Sequence, residues 1–182
     1  MFTLKVDQEI SLKLLEKKDA KELFTLVDQY RTYLREWLPW VDNMNQETDY
    51  EPIIEMWLKQ FASNDGFQAG ILYNGKLAGM VGFHGIDWSN RKTSIGYWLA
   101  ENYQGHGIMT KTVNALIDCA FSEYDLNRVE IHCGVENYKS RSIPERIGMK
   151  KEGVVREDEF LYDHYLDTVL YSLLKKEWKQ SV

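Results

Sequence analysis

Apolar and polar residues alternate from Thr93 to Ala100. Thr93, Ile95, Tyr97 and Leu99 fall on one side, and Ser94, Gly96, Trp98 and Ala100 on the other. That period of two predicts a strand. Directly downstream the period lengthens. Met109, Val113, Leu116, Ile117, Ala120 and Phe121 share one face only if the chain is helical. The same patterning predicts strands over 2–6, 9–15, 67–73, 76–86, 128–135, 154–161 and 165–174. On the 128–135 strand Val129, Ile131, Cys133 and Val135 face one way and Glu130 and His132 the other. Asn74-Gly75, between two of these runs, is the preferred type I′ hairpin turn, and Tyr162-Asp163-His164 separates the last two. Gly70, Gly79, Gly82 and Gly85 predict bulges or close backbone approach.

Further helices are marked by their caps. Asp19 with Glu22 reads as a capping box before the stripe Leu23, Phe24, Val27 and Tyr30, and a second piece runs to Trp37 and stops at Pro39. Thr48 with Glu51 reads as another, before Ile54, Trp57, Leu58 and Phe61, with Asn64-Asp65-Gly66 as the stop. Asn137 is expected to cap a helix near whose start Pro144 lies.

The turn between the 93–100 strand and its helix carries Gly105 and Gly107. Glycines there let the backbone turn sharply and let a ligand approach its N–H groups, and a helix N-terminus with free amides attracts an anion. A phosphate loop of the Gly-Lys-Ser/Thr type is excluded, because no such residues follow. A dinucleotide fingerprint is excluded because Thr110 replaces its third glycine.

Gln104-Gly105-His106-Gly107-Ile108 resembles the Gln/Arg-x-x-Gly-x-Gly/Ala pyrophosphate loop of the GNAT N-acetyltransferases. Asn137-Tyr138-Lys139-Ser140 stands where those proteins contact a pantetheine arm, and Ile147-Gly148-Met149 where they have Leu-Gly-Phe. The Gly-Tyr-Trp-Leu entry and the Gln-Gly-x-Gly-Ile-Met loop are most similar to the RimJ/RimL type, the ribosomal-protein N-terminal acetyltransferases. Met109 departs from the superfamily's usual Gly/Ala but agrees with that branch.

The resemblance implies an α/β (α+β) fold with a mixed, mostly antiparallel sheet and helices on both faces. It implies one N-acetyltransferase domain over 1–182, with two central strands splayed around the arm of acetyl-CoA. The expected cofactor-binding set is Leu99, Gln104, Gly105, His106, Gly107, Ile108, Met109, Thr110, Asn137 and Ser140. Trp37, Trp40 and Glu101 are expected on the acceptor side.

Acetyl transfer to an amine needs a neutral nucleophile and a proton for the leaving thiolate. Deprotonation at pH 7 costs about 1.4 kcal/mol for a peptide α-amine against about 4.6 for a lysine, so an α-amine needs only a modest base. Glu159 is the first choice for that base, because Glu159-Phe160-Leu161 resembles the Glu-Tyr-Leu of the RimL-type enzymes. Glu101, Glu136, His84 and His132 are weaker candidates, and the histidines read as structural. Many members donate a proton from a Tyr four residues before the Gly of Leu-Gly-Phe. Here that place is Pro144, which leaves Ser140 as the expected donor and Tyr138 in reserve.

Composition narrows the alternatives. A formal charge of −6 without a basic block argues against nucleic-acid binding and suits a cationic acceptor. With no long apolar run the expectation is a cytoplasmic protein without membrane contact. Cys119 and Cys133 have no metal spacing, so no metal is expected, and both fall on apolar faces where a thiolate is disfavoured. The reaction implied by the resemblance is direct transfer from acetyl-CoA to the N-terminal α-amine of a ribosomal protein. The alternatives are a small amine, such as a polyamine or aminoglycoside, or a non-catalytic acyl-CoA-binding protein. The acceptor stays open on sequence alone, as does homo-oligomerisation.

Overall fold

The computed structural model describes residues 2–178. Its eight strands are β1 (Thr3–Lys5), β2 (Ile10–Leu14), β3 (Gln68–Tyr73), β4 (Lys76–Asp87), β5 (Lys92–Leu99), β6 (Arg128–Gly134), β7 (Lys150–Leu161) and β8 (His164–Leu174). They form one sheet in the order β1-β2-β3-β4-β5-β6-β8-β7. All neighbours are antiparallel except β5 and β6. Helices α1 (Ala20–Gln29), α2 (Arg31–Leu34) and α3 (Tyr50–Ala62) precede β3; α4 (Ile108–Ser122) joins β5 to β6, and α5 (Tyr138–Ile147) joins β6 to β7. Among the described residues no helix is long and apolar enough to cross a membrane.

Two cores sandwich the sheet. One holds Val81, Phe83, Ile95 and Ile131 against the α4 stripe; the other holds Leu15, Leu77 and Met80 against Leu23, Val27 and Ile54 of α1 and α3. Val113, Leu116 and Ile117 of α4 are fully buried. Burial of this kind contributes about 1.5–3 kcal/mol per large apolar side chain. The β3–β4 hairpin forms as expected, with both Asn74 and Gly75 at positive φ.

Four expectations need correction. Asp19 does not cap α1. Its carboxylate is buried against Lys13 Nζ at 2.7 Å and also accepts from the Glu16 amide, so a tertiary cation takes the side chain. Thr48 does not open α3 either, because Asp49 accepts from the Asn45 and Gln46 amides just before that helix. Pro144 lies well inside α5, not near its start. On α3, Ile54 is buried as expected, whereas Phe61 is exposed and Tyr50 takes a place in the core.

The parallel β5–β6 pairing fixes the site. Lys92, Thr93 and Ser94 pair with Arg128, Val129 and Glu130, and there the ladder ends although both strands continue. Beyond Ser94 they part, and a cleft opens between them.

Candidate active site

The cleft has a volume of about 1300 Å³. It runs from the glycine loop, past the parted ends of β5 and β6, to an aromatic wall under α1–α3. At the loop end Gly105 and Gly107 sit at φ +80° and +72°, the left-handed region that favours glycine, and Gly107 is the residue preceding α4. The first-turn amides of α4 therefore face outward beside the loop, with no intrahelical partners. Lys139 and Arg146 line the same end, and Arg146 Nη1 donates to Thr110 Oγ1 over 2.8 Å. A locally positive, amide-rich end on a chain of net charge −6 is chemically suited to a polyphosphate.

Gln104 uses its side chain to brace this loop. Its amide nitrogen donates to Tyr33 Oη and its oxygen accepts from Lys139 Nζ at 3.3 Å. His106 stands exposed with its ring stacked on Tyr73, centroids 5.9 Å apart, outside the residues lining the cleft. Leu99, Ile108, Met109 and Thr110 line the cleft; Glu101 is exposed on the turn Glu101–Tyr103 and does not.

Where the strands part, three groups meet. Ser140 Oγ lies 3.3 Å from Cys133 Sγ and 3.4 Å from Tyr97 Oη, at the cleft surface. Asn137 Oδ1 accepts from the Ser140 amide at 3.0 Å, which caps α5 and fixes the serine's position. Tyr97 Oη donates to the Ser140 carbonyl at 3.0 Å. Burial pushes the Tyr97 phenol well above its ordinary value and pushes the Cys133 thiol up as well, so both are held protonated. Burial likewise pushes the Cys119 thiol up to about 11.

Across the cleft stands an acidic and imidazole group. Glu159 of β7 is half-buried; burial raises its carboxyl, the negative Asp158 beside it raises it further, and His132 opposes both. Asp158 Oδ2 pairs with His132 Nδ1 at 3.0 Å and accepts from Thr168 Oγ1 at 2.5 Å. His132 thus has a carboxylate partner that the sequence did not reveal, and His84 lines the cleft. The exposure of His84 is to the cleft, where lost hydration holds its imidazole below the ordinary range, with His132 as a smaller cause. Its ring lies over Gly96, where any Cβ would run into it.

The far end is aromatic. Trp37 packs over Gly134, Trp40 and Trp98 lie with ring centroids 6.1 Å apart, and Met56 and Trp57 complete the wall. The β7–β8 turn closes it from outside, since Tyr162 Oη donates to the Leu38 carbonyl at 2.8 Å.

Sequence reasoning missed Tyr97, Asp158, Lys139 and Arg146 as cleft residues. For Tyr97 a signal existed. Pro144 has no N–H for the carbonyl four residues earlier, Ser140, so another donor had to supply it.

The family model for the acetyltransferase (GNAT) domain matches residues 9–150. Over 180 residues the chain is 45% identical to the "Putative ribosomal N-acetyltransferase YdaF" of Bacillus subtilis (strain 168), covering 98% of each. It is 31% identical over 172 residues to the ribosomal-protein-serine acetyltransferase of Escherichia coli (strain K12), covering 93% of this chain and 95% of that one. Among solved structures, the microcin C7 self-immunity acetyltransferase MccE, in complex with acetyl-CoA and AMP, superposes with a TM-score of 0.90 at 33% identity. That match covers 94% of this chain and 95% of the other. With the splayed central strands and glycine loop already in place, these matches show that the chain belongs to the GNAT acetyltransferase family and is an acetyl-CoA-dependent N-acetyltransferase.

Proposed function

We propose that this enzyme, acting in the cytoplasm, acetylates the N-terminal α-amine of a ribosomal protein by direct attack in a ternary complex. The observation that carries this is the meeting, in one cleft, of the loop, Ser140 and Glu159 on separate elements. The amides of Gly105, His106 and Gly107 and of the first turn of α4 hold the pyrophosphate, with Gln104 bracing the loop. Leu99, Ile108, Met109, Thr110, Asn137 and Ser140 flank the pantetheine arm, and Trp37 and Trp40 wall the acceptor.

Glu159 accepts a proton from the incoming ammonium. The neutral amine attacks the thioester carbonyl, the C–S bond breaks, and Ser140 Oγ passes its proton to the thiolate while taking up the proton shed by the acylated nitrogen, which restores the hydroxyl. A group with a raised carboxyl suits the base role, because its acceptor strength moves toward the operating pH. Positioning of two bound reactants supplies much of the remaining rate, up to ~7–11 kcal/mol. An acetyl-cysteine intermediate is disfavoured, since burial holds Cys133 as the thiol.

The charge pattern favours a single cation over a polyamine. Asp158 and Glu159 are the carboxylates among the described cleft-lining residues, and Asp158 is already tied to His132 and Thr168. One free carboxylate beside an apolar wall fits an α-amine followed by uncharged chain. Initial rates should be compared on a peptide with a free N-terminus, the same peptide N-blocked with an internal lysine, and spermidine. The proposal requires the free peptide to be preferred and fails if spermidine has the higher kcat/KM.

A further inference from the structure

Adjacent strand residues normally face opposite sides of a sheet, so Asp158 and Glu159 should not both reach one cleft. They do so because β7 carries a bulge. Val155 pairs with Thr168 and Glu159 with Leu166, so residues 156–158 stand opposite Asp167 alone. Within the bulge Glu157 adopts φ +50°, an unfavourable conformation for a residue with a side chain, and its amide donates to Asp167 Oδ1 at 2.8 Å. Asp158 is then gripped from two other strands, by His132 Nδ1 of β6 at 3.0 Å and by Thr168 Oγ1 of β8 at 2.5 Å, both on the same Oδ2.

We propose that His132 and Asp158, locked by Thr168, are a positioning pair: they hold the β7 bulge that turns Glu159 toward the amine, and the carboxylate and the imidazole stand beside it. This rests on Glu159 being the base. Neither partner needs to touch the acceptor. The groups acting on Glu159 are Asp158 on its own strand and His132 on β6. His84 on β4 and Tyr97 on β5 line the same cleft but do not bond the pair. A small cavity of about 90 Å³ is lined by His132 together with His84, Ser94, Tyr97 and Ser140.

The two partners act on Glu159 with opposite sign. Removing the negative charge in Asp158→Asn makes Glu159 easier to ionise; removing the imidazole in His132→Gln makes it harder. The test is the pH dependence of kcat on a saturating peptide acceptor for wild type, D158N, H132Q and E159Q. The acid limb should move to lower pH in D158N and to higher pH in H132Q. Both plateau rates should fall by less than about tenfold, well short of the ~10²–10⁴-fold loss expected for E159Q. A merely structural role would slow a variant equally at every pH, and that result, or an unmoved limb, in either folded variant overturns the positioning pair. Because the variants lie on different strands and act in opposite directions, either one that folds decides the matter. E159Q separates the two levels. If it is as fast as wild type, the base assignment itself is wrong; if it is slow while the other limbs stay fixed, only the pair is wrong.

Discussion

The hydroxyl of Tyr97 donates to the backbone carbonyl of Ser140 over 3.0 Å, and Pro144 is the reason that carbonyl is free. A helix-interior proline removes the N–H that would bond four residues back. Here the gap is filled from the neighbouring strand, and it ties the α5 serine to β5 at the point where β5 and β6 part. The place that holds a proton-donating tyrosine in many related enzymes thus holds a residue that draws a different tyrosine, Tyr97, against Ser140.

Loss of the Tyr97 hydroxyl should be felt as stability. Tyr97→Phe leaves a buried carbonyl unsatisfied and should cost about 1–3 kcal/mol. In a Pro144→Ala background the helix regains its own N–H donor, so the same substitution should cost clearly less. Urea denaturation of the four proteins in this cycle checks it; equal costs in both backgrounds would show that the two residues are uncoupled.

Ser140→Ala should lower kcat while acetyl-CoA affinity stays nearly constant, because the amide that Asn137 caps is retained. The size expected of a lost proton donor is ~10²–10⁴-fold. Steady-state kinetics on a peptide acceptor, with calorimetry for the cofactor, separates the two terms. An unchanged kcat would reduce Ser140 to a helix-start residue.

Gly107→Glu should abolish tight acetyl-CoA binding. The position has φ +72°, so a side chain is strained there, and a carboxylate would repel a pyrophosphate at the start of α4. Gly107→Ala carries the strain without the charge and should bind more tightly than the Glu variant. Titration calorimetry measures both, and wild-type affinity in Gly107→Glu would remove the loop from the cofactor site.

Glu159 should make the fold less stable as pH rises. Its carboxyl is raised in the folded protein, so the native state holds that proton more tightly than the unfolded chain. Stability from this group is full below the unfolded value near 4.5 and is lost as pH climbs through the higher folded value. Glu159→Gln should therefore have a higher Tm than wild type at pH 8, with the gain shrinking toward pH 4.5. A constant Tm difference across that range would mean that the carboxyl is not perturbed.

Much of the fold was legible in local pattern. The period change between Leu99 and Met109, the Asn74-Gly75 turn and the α4 stripe each depend on neighbours in sequence. What escaped was decided by partners distant in sequence. Asp19 has a good cap residue's chemistry, yet a buried lysine outbids the helix end for its carboxylate. The β7 bulge was illegible because Glu157 carries no glycine signal for its positive φ. Without that bulge, strand alternation puts Asp158 on the opposite face from Glu159, so the His132 pairing could not be foreseen. The Glu159 and Ser140 assignments came from motif resemblance, and the structure places both on the cleft.

The most direct test is mass spectrometry of ribosomal proteins incubated with the enzyme and isotopically labelled acetyl-CoA. The account predicts one or a few proteins carrying the label on the N-terminal α-amine, and none with E159Q under the same conditions. Label confined to lysine side chains or to an added polyamine, or α-amine labelling undiminished in E159Q, would contradict it.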